Sequence, residues 1–501
     1  MNLEPFFNPN SILIIGVSRK TFTFNYTILK NLLEIFYKGK IYIMNPNANE
    51  ILGIKSYSSL EDLPEIPELA VIVINKKIVE IIENLAQFGV KYLTIQSELK
   101  PGTNYYKAGL MISDICEKHG ITYLGPSMLG VINFIDNFTT SIIPVRKHIM
   151  REYKNVKEGV GFIAQSGGLA GALGWWLPSQ KLPISKVIHL GRGFRIDESD
   201  ILEYFLHDST IKVISIFLRD ISVKLIETVK IVSALKPILF FYVGKDDKMQ
   251  ESLMNAGGIS VKNYIELFEL AKIFLWCPKP NGPNLGIIGP SSGAIHLIVR
   301  EMREQKLTLA KPGRETQDII LAKVGGSTCE YGNPVDYWPP ERFIGAKICD
   351  IYSTSANSLL KDDNVDGLIL ALEFFLEIEF DFMIFKDLRK LYPDKPIITI
   401  LIQAEKEGSK RVIKTASELK IPVFENEIER AIRGYRLLYD YYSKIKQNKE
   451  KKTYIFNLIF TRQNCSFYFY SYFLRGSYLS LKRFSSPKSR GLHSSIILFP
   501  P

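Results

Sequence analysis

Three long blocks in which short apolar runs alternate with amphipathic stretches predict an α/β protein. The fold class is three Rossmann-like or flavodoxin-like parallel-sheet domains in series, plus a basic C-terminal tail without regular structure. Three observations carry this prediction. The apolar runs are continuous rather than alternating, as in strands buried on both faces of a parallel sheet. The stretches between them have helical spacing, which supplies the crossovers that parallel strands require. The 501 residues, 46% of them apolar, suffice for three cores of ordinary size.

In the first block, Ser11–Val17 reads as strand, Asn25–Phe36 as helix, Lys40–Met44 and Leu69–Ile74 as strands, and Ile78–Phe88 as helix. Tyr92–Gln96 follows as strand and Lys107–Lys118 as helix, and the block closes at Tyr123-Leu124-Gly125-Pro126. The second block has strands near Val160–Ala164, Lys186–Leu190, Val213–Leu218 and Ile238–Val243. The third has strands near Asn284–Ile288, Gly367–Leu372, Ile397–Ile402 and Pro422–Phe424. These blocks place domains at 1–145, 155–278 and 282–443, with a tail at 444–501.

The net charge of +11 is concentrated in that tail. From Lys444 onward there are eleven Lys or Arg and one acid, Glu450, which leaves 52 basic and 51 acidic residues elsewhere. The body is near neutral, so the charge is not the footprint of a nucleic-acid-binding domain. The tail's aromatic run Phe467-Tyr468-Phe469-Tyr470 is read as part of an unstructured extension, with neither nucleic acid nor membrane as partner. Cys116, Cys277, Cys329, Cys349 and Cys465 have no CxxC spacing, which fits a reducing compartment and offers no metal site. No signal-like segment opens the chain and no apolar run is long enough to span a bilayer, so a cytoplasmic protein is expected.

Two turns carry chemistry. Ile163-Ala164-Gln165-Ser166-Gly167-Gly168-Leu169 runs from a strand into small residues that open a helix. The unpaired N–H groups of a helix start suit phosphate or carboxylate, although small residues also serve simple packing there. Gly16-Val17-Ser18-Arg19-Lys20 sets amides, a hydroxyl and two cations at another helix start, without the GxGxxG spacing of a dinucleotide fold.

The order of these motifs resembles a known family. The opening Ser11–Ser18, the segment Gly125-Pro126-Ser127-Met128-Leu129-Gly130, the turn Ala164–Gly168 and Gly332-Asn333-Pro334-Val335-Asp336 look like the alpha subunit of ADP-forming acyl-CoA (acetate–CoA) synthetases, relatives of succinyl-CoA synthetase. The resemblance covers roughly Pro9 to Tyr442. It implies a first domain that binds coenzyme A, a second that carries a phosphorylated histidine and a third packed alongside. It also implies a partner: an ATP-grasp beta-type subunit through which alone ATP/ADP and Mg would enter, with an oligomeric assembly. On this resemblance the coenzyme A residues are Gly16, Ser18, Arg19, Asn45, Pro46, Asn75, Ser97 and Ser127. Ser166, Gly167 and Gly168 would bind phosphate.

The chain departs from the family pattern in several places. Asn47 stands where a lysine is usual, Ile74-Asn75-Lys76 replaces a Val-Pro pair, and Phe22 occupies a glycine-rich turn where its bulk would crowd the phosphates. The family's Ser-His-Thr-Gly-like loop has no counterpart after the strand Pro237–Val243. Aligning Ala256-Gly257 with the motif puts Asn255 at the histidine; aligning Asn255–Lys272 with the segment before the next helix removes the loop altogether, and this second placement is preferred. A glutamate that would orient the histidine is replaced in Phe217-Leu218-Arg219-Asp220 by Arg219, with Asp220 beside it. Of His119, His148, His189, His207, His296 and His493, only His189 lies at a strand end within reach of a phosphate pocket, and a structural role suits it better than that of a substitute carrier. No catalytic residue and no metal ligand are assigned. The expected function is a coenzyme A-binding, alpha-subunit-like protein impaired in phosphoryl transfer; the alternative is an active acetate/acyl-CoA ligase (ADP-forming) subunit. In the third domain, Ser291 and Ser292 read as helix caps, Gly332–Asp336 as packing between domains, and Glu373–Glu379 as a solvated helix start.

Overall fold

The computed structural model describes residues 1–21, 23–74, 76–97, 105–147, 157–176, 182–191, 193–324, 331–337, 345–373, 380–461, 470–472 and 479–481. The chain divides into two units, Met1–Ser443 and Lys444–Pro501.

In the larger unit the first sheet is built from β1 (Ser11–Ile15), α1 (Phe24–Glu34), β2 (Lys40–Met44), β3 (Glu50–Ile51), β4 (Ile54–Tyr57), β5 (Leu69–Ile72), α2 (Ile78–Phe88), β6 (Tyr92–Ile95), α3 (Tyr105–Lys118) and β7 (Thr122–Leu124). Every residue of β1 and β5 is buried, as their unbroken apolar runs require. The buried positions of α2, Ile78, Ile82, Leu85 and Ala86, fall on one helical face, and Gly89 ends the helix at φ +102°, a value that glycine adopts without strain. Strand order is β3-β4-β2-β1-β5-β6-β7, parallel except for the β3–β4 hairpin.

The second sheet contains β8 (Gly130–Asn133), β9 (Phe138–Thr139), β10 (Gly159–Ala164), β11 (Ile184–His189), β12 (Ile211–Leu218), β13 (Ile238–Tyr242) and β14 (Ile259–Ser260). Its helices are α4 (Gly167–Trp176), α5 (Glu198–His207), α6 (Val223–Val232), α7 (Asp247–Asn255) and α8 (Glu266–Trp276). The order is β14-β13-β12-β10-β11-β8-β9. Residues 130–139, inside the first domain as bounded by sequence at 1–145, form an antiparallel edge on the second sheet, with β8 pairing to β11.

The third sheet comprises β15 (Asn284–Gly289), β16 (Thr308–Leu309), β17 (Val335–Asp336), β18 (Gly367–Leu372), β19 (Ile397–Leu401) and β20 (Val423–Glu425). Around it lie α9 (Ser292–Glu304), α10 (Arg314–Val324), α11 (Gly345–Lys361), α12 (Leu388–Leu391), α13 (Lys406–Glu418) and the start of α14 (Ile428–Thr461). Its order is β16-β15-β18-β19-β20, with β17 beside β15. In each sheet the first parallel strand lies inside, β1 between β2 and β5, β10 between β11 and β12, and β15 between β16 and β18, the doubly wound order whose ligand crevice opens at the carboxyl ends of strands that part to opposite sides.

The sheets are tied by specific contacts. Asn31 on α1 donates to Ser141 O and Ile143 O and accepts from Val145 N, gripping a strap that also touches α4, where Gly174 O accepts from Arg146 N. Buried Glu266 on α8 pairs with Arg430 and Arg433 on α14. The smaller unit holds the remainder of α14 and a hairpin of β21 (Tyr470–Tyr472) and β22 (Leu479–Leu481). Among the described residues, α14 runs to Thr461. No helix searched among the described residues is long and apolar enough to cross a membrane.

Candidate functional site

The carboxyl end of β1 turns at Gly16, whose φ is +96° and where a Cβ would overlap Cγ2 of Ile74. Gly16 N donates to Met44 O at 3.1 Å, so the ends of β1 and β2 stay joined. Asn45, just past β2, donates through Nδ2 to Val17 O at 2.8 Å, and the Ser18 hydroxyl accepts from Lys20 N at 3.0 Å. These bonds bring Gly16, Ser18 and Asn45 to one mouth, with Arg19 and Pro46 exposed at its rim. No side chain of the N-cap residue Thr23 caps the first turn of α1, where Tyr26 N donates to Thr23 O at 3.1 Å.

Across the mouth, Ser97 is buried and its hydroxyl is engaged with the end of β5, 3.2 Å from Ile72 O and 2.5 Å from Ile74 O. Ser127 N donates to Ser97 O at 3.2 Å, which joins the two serines at the same sheet edge. Asn75 and Phe22 lie outside the described residues. Sequence reading missed Asn25: its Nδ2 donates to Gly16 O at 3.1 Å and to Val73 O at 2.8 Å, bridging the ends of β1 and β5. The pattern gave no signal for this, since Asn25 occupies an ordinary first-turn position of a helix.

The second sheet has a corresponding mouth. Gln165, Ser166, Gly167 and Gly168 pass from β10 into α4, and among the described residues nothing stands within 4 Å of where a Cβ at Gly168 would lie. A Cβ at Gly167 would come within 2.6 Å of Leu129 and 3.2 Å of His189, so a larger residue would have to displace them. Gln165 Oε1 accepts from Arg219 N at 2.6 Å and Asp220 N at 2.9 Å, and its Nε2 donates to Glu198 at 3.1 Å. Glu198 was likewise missed. Burial, reinforced by Asp197 and Asp220, holds its carboxyl above the usual range even though Gln165 pulls the other way.

His189 is buried at the end of β11, and its Nδ1 accepts from Leu129 N at 2.9 Å. Burial, with the charge of Arg219 adding to it, lowers its pKa to about 4. After β13, residues 243–246 lead directly into α7, capped by Asp246, and α7 is followed by β14 with no histidine between Val243 and Val261. Asn255 is the last residue of α7. In the third sheet Ser291 caps α9 by accepting from Ala294 N. Within Gly332–Asp336, Asn333 braces the third sheet, donating to Leu285 O and Ala310 O and accepting from Ile287 N. Residues 374–379 of the acidic run lie outside the described residues. Among the described residues no cluster of His, Cys, Asp and Glu could hold a metal ion.

Known proteins share this fold. Residues 10–133 match the CoA binding domain family, and residues 157–264 match the succinyl-CoA ligase like flavodoxin domain family. The alpha subunit of acetate–CoA ligase [ADP-forming] I from Pyrococcus furiosus is 30% identical over 366 residues, 67% of this chain and 76% of that protein. Acetate–CoA ligase [ADP-forming] II from Archaeoglobus fulgidus is 30% identical over 460 residues, 85% of this chain; the chain spans 65% of that relative's length. The apo structure of Ca. Korarchaeum cryptofilum dinucleotide forming acetyl-coenzyme A synthetase 1 superposes with a TM-score of 0.78 at 23% identity, covering 90% of this chain and 99% of that one, which establishes a common fold. The two mouths therefore sit on a scaffold of known lineage, and the chain belongs to the family of ADP-forming acetate–CoA ligases, NDP-forming acyl-CoA synthetases of which the Pyrococcus protein is an alpha subunit.

Proposed function

We propose that the chain is a coenzyme A-binding, alpha-subunit-like member of this family in which phosphoryl relay through a histidine is impaired. The first mouth suits the coenzyme: uncapped N–H groups of α1, the Ser18 turn and the exposed Arg19 and Lys20 offer donors and positive charge to phosphates. When bound, coenzyme A supplies the thiol that takes the acyl group. Asn45 holds the β1 turn in place, and Ile74 roofs Gly16 on its inner side.

The observation that carries the impairment is the segment from β13 to β14. An imidazole that accepts and releases phosphate needs a loop able to present it. Here residues 243–246 and α7 fill the connection, and none of these residues is a histidine. Asn255, at the end of α7, carries an amide that cannot take a phosphoryl group. The second mouth keeps its N–H groups, so it binds an anion without passing it on. ATP, ADP and Mg would enter only through an ATP-grasp partner subunit, in an oligomer.

Two measurements test the reading. Calorimetry of the full chain with coenzyme A is expected to give saturable heat. Incubation with labelled ATP and a beta-type subunit of the family is expected to give no acid-labile phosphoprotein. Absence of coenzyme A heat removes the first claim, and a stably phosphorylated histidine removes the second.

A further inference from the structure

The mouth at the start of α4 holds a second kind of donor beside its main-chain amides. His189 is 8% exposed, and its Nδ1 accepts the Leu129 N–H. An imidazole nitrogen that accepts carries no hydrogen, so in the neutral ring the hydrogen sits on Nε2. The ring is neutral at physiological pH because burial, and then Arg219, disfavour the imidazolium. Its Cε1 edge faces Gly167, the first residue of α4, at 3.2 Å from where a Cβ would stand. Nε2 is bonded to that same carbon, and it has no hydrogen-bond partner among the described residues.

We propose that His189 is a positioning residue whose Nε2–H donates to an oxygen of a phosphate or acyl-phosphate group held at Ser166–Gly168, and that it does not accept the phosphoryl group itself. The proposal rests on the reading of the second mouth as an anion site that has lost its relay. The argument is one of electron pairs. To form an N–P bond, Nε2 must present a lone pair and the ring hydrogen must sit on Nδ1. An Nδ1–H would then face the Leu129 N–H, donor against donor, and a hydrogen bond in a buried position would be lost. The Leu129 amide thus fixes His189 as a donor, and Gly167 is a glycine because Leu129 and His189 occupy its Cβ space. Gly168, open on its outer side, leaves room for the anion.

The test compares the full-length wild type with His189→Asn and His189→Gln by calorimetry, titrating inorganic phosphate and, separately, coenzyme A. Asn keeps an acceptor for Leu129 N–H but has nothing at the Nε2 position; Gln extends an amide donor toward it. Phosphate affinity is expected to fall about tenfold in His189→Asn and to recover in part in His189→Gln, the size of one hydrogen bond to a charged group. Coenzyme A heats are expected to be equal in all three proteins. Nitrogen-15 spectra of the wild type should show the hydrogen on Nε2, a readout independent of any variant. Equal phosphate affinity in wild type and His189→Asn, absence of phosphate binding in the wild type, a hydrogen on Nδ1, or phosphate recovered on His189 by mass spectrometry overturns the proposal. Loss of coenzyme A heat alone refutes the coenzyme reading, and the phosphate comparison then still decides the role of His189.

Discussion

The crevices of the first and second sheets are each bridged by an amide, one as donor only and the other as donor and acceptor at once. One opens where β1 and β5 part, the other where β10 and β12 part, and each is spanned by a side-chain amide. In the first sheet Asn25 applies its NH2 group to the carbonyls of Gly16 and Val73. In the second, Gln165 applies its carbonyl to the N–H groups of Arg219 and Asp220 and its NH2 group to Asp220 O and the Glu198 carboxyl. The first arrangement ties the strands together with acceptors and leaves the turn's donors available to a phosphate chain. The second consumes the Arg219 and Asp220 donors on the β12 side and does not touch the N–H groups at the start of α4. Strand order fixes where a crevice lies, and the orientation of the amide that spans it fixes which main-chain groups stay available.

The sharpest way to break this comparison is a pair of glycine substitutions. Gly16→Ala places a Cβ into Ile74 at φ +96°, and is expected to cost about 3 kcal/mol or more and to abolish coenzyme A heat. Gly168→Ala meets open space and is expected to stay within about 0.5 kcal/mol of the wild type by urea denaturation. Equal losses in the two variants would mean that the mouths are not built differently.

Removing the bridging amides sharpens the contrast further. Gln165→Leu leaves two N–H groups unpaired and Asn25→Leu leaves two carbonyls, each at about 1 kcal/mol. Hydrogen exchange distinguishes them. The Arg219 and Asp220 amides should exchange faster in Gln165→Leu, whereas Asn25→Leu should accelerate no amide at Gly16 or Val73. The smallest effect is electrostatic. Because the folded state raises the Glu198 carboxyl, it holds that proton to higher pH than the unfolded chain does. Stability therefore falls as pH rises from the unfolded value through the folded one, and Glu198→Gln should flatten that fall. An unchanged pH profile would show that Glu198 is as well solvated as a surface carboxylate.

Most strands were legible because parallel strands buried on both faces must be apolar throughout; Lys40–Met44 and Gly367–Leu372 match their predicted limits. Their ends ran long in the prediction where an apolar residue continues past the ladder, as Val17 does beyond Gly16. The edge strands β8 and β9 were not legible, since their place is set by pairing with β11 and not by their own composition. At the site, glycines and serines at strand ends announced the two mouths. Asn25, Gln165 and Glu198 did not, because an amide or a carboxylate at a helix start has no pattern of its own and acquires its role only from the strand brought opposite. His189 was visible as a candidate, but the Leu129 amide that fixes its tautomer was not.

The strap gripped by Asn31 has a mechanical consequence. One side chain on α1 holds Ser141, Ile143 and Val145, and α4 leans on the same segment through Gly174. The helices that open the two mouths thus share a tether, and a protease cut within residues 141–145 would unhitch them while leaving every parallel ladder intact.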